Sequence, residues 1–71
     1  MPRYLVTTRR ALRGHVASAL DAVRDAPEIQ VVDARDPDMV RVEASEAAAS
    51  KLKERLASTH HVDPEVRHQL H

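Results

Sequence analysis

Two observations predict an α+β fold built on a single open sheet. Strand-like and helix-like segments follow one another in the order β-α-β-β-α-β within 71 residues. The two middle strands are joined by a short turn rich in Asp and Pro, as in an antiparallel hairpin. Cysteine is absent, which excludes disulfides, thiolate chemistry and Cys-ligated zinc. The element order is the split-βαβ, ferredoxin-like plan: a four-stranded antiparallel sheet with two helices on one face. Right-handed crossovers then predict the spatial strand order 4-1-3-2. The length fits one domain, residues 1–71, with an extended tail from about residue 64.

Arg3-Tyr4-Leu5-Val6-Thr7 is β-branched, short and bounded by Pro2, and predicts the first strand. Thr7 or Thr8 offers a helix N-cap. Leu12, Val16, Leu20 and Val23 then recur at helical spacing, with Ala19 widening the stripe, which predicts a helix over about residues 9–25 that contains Gly14. Pro27 ends it. Glu28 to Asp33 has strand composition, and Ala34-Arg35-Asp36-Pro37-Asp38 carries turn chemistry. Met39 to Glu43 alternates, with Val40 and Val42 on one face and Arg41 and Glu43 on the other. Ser45 caps a second helix whose Ala49, Leu52 and Leu56 share a face. His60-His61-Val62 predicts a short last strand, broken at Asp63-Pro64.

Composition limits what such a fold can do. Eleven of the apolar residues are Ala, and Tyr4 is the only aromatic. The core is therefore small and the domain marginal, a state that favours support from a partner. Little material remains for an enclosed small-molecule pocket. Basic and acidic residues balance, 11 against 11, which argues against a general polyanion binder. The balance is uneven along the chain: residues 1–24 carry net +4, residues 25–46 net −5 and the remainder net +1. Attraction within the fold and solubility account for this pattern. No apolar run approaches the roughly 18 residues of a membrane span, and the N-terminus lacks a signal-peptide pattern. A soluble cytoplasmic protein is expected.

Neither a catalytic site nor a cofactor site can be read. The five histidines lack an H-E-x-x-H pattern, and His60, His61, His68 and His71 are expected to be solvent-exposed, so no metal is assigned. Asp33, Asp36 and Asp38 lack the Gly and distal Glu of a calcium loop. No serine sits on a nucleophile elbow, and one glycine cannot build a phosphate loop. No enzymatic activity is expected. Arg9, Arg10 and Arg13 could meet phosphates, yet RNA-binding sheets of this plan stack bases on aromatics that this chain lacks, which weighs against nucleic acid.

Three stretches resemble the subtilisin propeptide family and its free-standing proteinase inhibitors. Tyr4-Leu5-Val6-Thr7 is similar to the family's opening Y-I-V-x strand. Val40-Arg41-Val42-Glu43-Ala44-Ser45-Glu46-Ala47 leading to Leu52 is similar to its F-x-x-x-L-S-x-E-x-x-x-x-L passage from strand into helix. Val62-Asp63-Pro64-Glu65 is similar to its closing V-E-P-D. The likeness runs in order over nearly the whole chain, although Met39-Val40 replaces the usual Gly-aromatic pair and the apolar positions are smaller.

The resemblance implies a ferredoxin-like inhibitor, with chaperone-like capacity, of a subtilisin-like serine protease. No protease domain follows, which favours a stand-alone member. The helix-free sheet face, with Glu43 and Arg41, would dock on the protease. The tail Arg67, His68, Gln69, Leu70 and His71 would lie in the substrate cleft as an added strand. His71 would fill the primary pocket, with Leu70, Gln69 and His68 in the next three. A one-residue slip would put Leu70 in the primary pocket and Arg67 in the fourth. A second reading is a small regulatory module that binds a protein or dimerises weakly through the open sheet face, and a third, weaker one is an RNA-associated protein.

Overall fold

A computed structural model describes residues 2–65. The strands are β1 (Arg3–Thr8), β2 (Gln30–Asp36), β3 (Met39–Glu43) and β4 (His60–Pro64), and the helices are α1 (Ala19–Arg24) and α2 (Glu46–Leu56). They form one four-stranded sheet in the order β2-β3-β1-β4, every neighbouring pair antiparallel. This is the expected α+β, ferredoxin-like arrangement, with the predicted strand order read from the opposite edge.

The core lies on one face of the sheet. Val6, Val40, Val42 and Val62 point from the strands toward Ala19 and Val23 of α1 and Ala48, Leu52 and Leu56 of α2, all buried. Alternation along β1, β3 and β4 sends every second side chain to this face. Small residues at Ala19, Ala44 and Ala48 let the helices approach the strands closely. Ser45 begins α2 as expected, its hydroxyl accepting the Ala48 N–H at 3.1 Å.

The first helical segment departs from the sequence reading. Arg10–Leu12 makes a single 3-10 turn, and α1 begins only at Ala19. Gly14 adopts φ +82°, a left-handed conformation that ends the turn. A continuous helix through this position would require right-handed backbone. Leu12 and Val16 are consequently only part-buried, and Ala19 and Val23 are the fully buried members of the expected stripe.

The start of α1 is secured from three sides. Ala19 N–H donates to the Thr8 hydroxyl at 3.0 Å, Leu20 N–H to the Pro37 carbonyl at 2.9 Å, and Asp21 N–H to the Ser18 hydroxyl at 3.2 Å. The free N–H groups of a helix start are thus accounted for by β1, by the β2–β3 turn and by the cap itself. Thr8 is therefore no N-cap in sequence, since it lies within β1, but it performs part of that work across space. Its hydroxyl hydrogen goes to Asp38 Oδ1 at 2.9 Å.

Two strands run longer than expected. β2 continues to Asp36 and carries register irregularities between Val31 and Asp33 and between Asp33 and Asp36. The turn shrinks to Pro37-Asp38, with Asp36 Oδ1 accepting the Asp38 N–H at 2.9 Å. β4 includes Pro64 instead of breaking there, and the next amide, Glu65 N–H, donates to the Arg3 carbonyl at 2.9 Å. Because amides alternate in direction along an antiparallel strand, position 64 faces the outer edge, where a missing N–H costs no ladder bond.

His60 is buried rather than exposed, at 4%. Its Nε2 lies 2.9 Å from the Ala17 carbonyl and its Nδ1 2.6 Å from the Thr59 hydroxyl. A carbonyl only accepts, so Nε2 carries the proton. His61 is exposed, as expected. His68 and His71 lie outside the described residues.

Replacing Thr8 by Val keeps its shape and removes both hydroxyl bonds. Thr8→Val is expected to cost about 1–3 kcal/mol in urea unfolding, with Thr8→Ser recovering much of the loss. Gly14→Ala meets no atom within 4 Å, so its expected cost of about 1–2 kcal/mol is that of the left-handed backbone alone.

Candidate docking face

The helix-free face of the sheet is the candidate site. Cross-strand pairing sets its rows. Arg3 lies opposite Glu43, Leu5 is flanked by Arg41 and Asp63, and Thr7 by Met39 and His61. On β2, Asp33 stands opposite Arg41 and Asp36 opposite Met39. Residues directly opposite share a face, so Glu43 and Arg41 both stand on the open face, as their alternation with Val40 and Val42 predicts.

Neither residue stands alone. Arg3 Nε donates to Glu43 Oε1 at 3.2 Å. Arg41 Nε lies 3.8 Å from Glu65 Oε1. These pairs tie β1 to β3, and β3 across β1 to the residue after β4. Exposed pairs of this kind contribute about 0–1 kcal/mol. Their larger effect is to fix which charges the face presents.

Between the rows runs a shallow groove of about 430 Å³. Leu5 and Met39 supply its apolar surface, and Met39 is 45% exposed. Asp63, Pro64 and Glu65 form one side, Asp33, Arg35 and Asp36 the other. One oxygen of Glu65, Oε2, is buried with no hydrogen-bond partner among the described residues. Of these residues the sequence reading singled out only Arg41 for docking. Strict alternation of β1 about Val6 is the signal that would have placed Leu5 on this face. Register across β1 would have placed Asp63 there as well.

Asp33 holds the β2 irregularity in shape. Its Oδ1 accepts the Arg35 N–H at 3.1 Å, and its Oδ2 lies 3.3 Å from the Arg35 guanidinium. The backbone hydrogen bond from Arg35 is the main cause that holds this carboxyl below its usual value of 3.8. Desolvation is the next largest effect and opposes it, while the charge of Arg35 and, least, that of Arg41 add to the lowering.

The predicted cleft residues Arg67, His68, Gln69, Leu70 and His71 lie outside the described residues. The Arg9, Arg10 and Arg13 cluster is divided. Arg9 Nη2 donates to the Ala57 carbonyl at 2.6 Å and closes the end of α2, whereas Arg10 and Arg13 are exposed. Among the described residues, no three His, Cys, Asp or Glu side chains gather to hold a metal ion. No helix among them is long and apolar enough to cross a membrane.

A lowered folded value means that Asp33 binds its proton less readily when folded. Its contribution to stability is present above 3.8 and lost as pH falls through the lower folded value. Carboxyl titration by NMR should place Asp33 below 3.8. Arg35→Ala should return it only part of the way, because the backbone N–H at position 35 remains.

Compared with known proteins, the chain matches no family model, no curated protein and no solved structure.

Proposed function

We propose that this protein is a propeptide-like inhibitor of a subtilisin-type serine protease, a binding protein and not an enzyme. The observation that carries the reading is the path of the chain. β4 runs along β1 at the border of the helix-free face, and its last pairing, Glu65 N–H to the Arg3 carbonyl, brings residue 65 onto that face. Residues 66–71 begin from that point. A protease meeting the open face would therefore find the tail delivered at the border of the same contact.

Binding divides between two surfaces in this account. The face, with Glu43 and Arg41, holds the body of the inhibitor. Arg67, His68, Gln69, Leu70 and His71 enter the cleft as an extended strand, where main-chain hydrogen bonds give affinity and side-chain pockets give selectivity. Delivery of the tail from a folded body raises its effective concentration at the cleft. The small Val and Ala core makes the free domain marginal, so binding to a folded protease stabilises both partners, which is the basis of a chaperone-like role. The inhibitor acts as a monomer or weak homodimer, and its expected compartment is the cytoplasm.

Titration of subtilisin activity with the full chain, and with a chain ending at Glu65, tests the reading. Loss of activity is expected with the full chain and little or none with the shortened one, while circular dichroism shows both folded. An intact full-length protein that leaves activity unchanged would remove the proposal.

A further inference from the structure

The groove on the open face is not electrically neutral. Four carboxylates line it, Asp33, Asp36, Asp63 and Glu65, against two guanidinium groups, Arg35 and Arg41. Both guanidinium groups are already engaged, Arg35 with Asp33 and Arg41 with Glu65. Asp36 and Asp63 form no ion pair among the described residues. Asp63 stands beside Leu5, and the unpartnered Oε2 of Glu65 belongs to the same wall of the groove. Apolar floor and surplus negative wall are therefore adjacent.

We propose that this groove docks a protein surface bearing a lysine or arginine, the aliphatic stem lying over Leu5 and Met39 and the cationic head meeting Asp63 and Glu65. Long basic side chains combine these two demands, an apolar stem and a charged tip. The head group meets Asp63, which forms no ion pair among the described residues, and a charge-assisted bond to a carboxylate is stronger than a neutral one. The same surplus opposes face-to-face pairing of two copies, since each would bring a groove of like sign. The inference rests on the reading that the open face docks a protein, and it names the chemistry that the face selects.

The test uses the full-length, 15N-labelled chain at low salt with the peptide acetyl-Val-Lys-Leu-Lys-Val-amide. The control replaces both lysines by glutamates. The lysine peptide should shift the amides of Leu5, Met39, Arg41 and Glu65, and the glutamate peptide should bind about five-fold or more weakly. Raising salt should weaken the lysine peptide. Asp63→Asn with Glu65→Gln should weaken it by a similar factor. Arg41→Gln, which frees Glu65 Oε1, should strengthen it.

Equal binding of the two peptides, or shifts confined to other surfaces, would overturn the proposal. So would shifts that follow protein concentration without peptide, which assign the face to a second copy. Binding that emerges only after removal of residues 66–71 would assign the groove to the chain's own tail and likewise overturn it. Peptide binding without subtilisin inhibition would retain the docking chemistry and remove the protease reading. Inhibition that is unaffected by the peptide and by Asp63→Asn with Glu65→Gln would do the reverse.

Discussion

The fold depends on one buried hydroxyl. Thr8 ends β1, the strand with a neighbour on either side at the center of the β3-β1-β4 set, and it is 1% exposed. It receives the first amide of α1 and gives its hydrogen to Asp38 in the β2–β3 turn. The Thr8 backbone repeats the link, donating its N–H to the Asp38 carbonyl at 2.9 Å. Strand, helix and hairpin thus meet at one residue. α1 has only six residues, too few to persist on propensity alone. Its position over Val6 and Val40 follows from this anchorage as much as from the burial of Ala19 and Val23.

Charge plays a smaller part than its arrangement along the sequence suggests. A basic first third facing an acidic hairpin invites a picture of long-range attraction. Of the four ion pairs among the described residues, only Arg3 with Glu43 joins those two regions. Arg24 pairs with Asp21 on the same helix, Arg35 with Asp33 within β2, and Arg41 with Glu65 across the sheet. Two other arginines work as helix closures. Arg9 meets the Ala57 carbonyl, and Arg55 the Ala22 carbonyl at 3.1 Å, each at a carbonyl-rich helix end. Among the described residues, arginine thus has two uses: Arg9 and Arg55 tie helix ends, while Arg3, Arg24, Arg35 and Arg41 pair with carboxylates.

The parts that were legible from sequence are those governed by a single local rule. β3 is legible to its ends because Val40 and Val42 alternate with charged neighbours and Pro37-Asp38 bounds the strand. α2 was legible through Ser45 and the spacing of Ala49, Leu52 and Leu56. The start of the first helix is not legible this way, because Leu12 and Val16 extend the correct period of Leu20 and Val23 backward through Gly14. Ser18 followed three residues later by Asp21 was the competing signal, a helix start closer to the real one. The end of β4 is hidden in the sequence because proline is a breaker in general, whereas at an outward-facing edge position it is harmless. Burial of His60 could not be read locally, since its partner is the Ala17 carbonyl, brought near only by the turn that Gly14 permits. On the candidate site, alternation alone placed Glu43 and Arg41. Glu65 and Asp63 required knowledge of the β1–β4 register.

The edges of the sheet favour the proposed docking on the face over strand addition within residues 2–65. An open sheet has two unpaired edges, each a template for another strand. On β4 the template is interrupted at Pro64, which offers no N–H. On β2 it is interrupted by two register irregularities, and the charged Asp33, Arg35 and Asp36 occupy the same stretch. Val31 and Val32 do expose apolar surface there, at 37% and 42%, but the register shift between Val31 and Asp33 interrupts regular pairing. Face and edges therefore present different chemistries. The edges discourage backbone recognition, while the face offers Leu5 and Met39 beneath a surplus of carboxylates, a surface read through side chains.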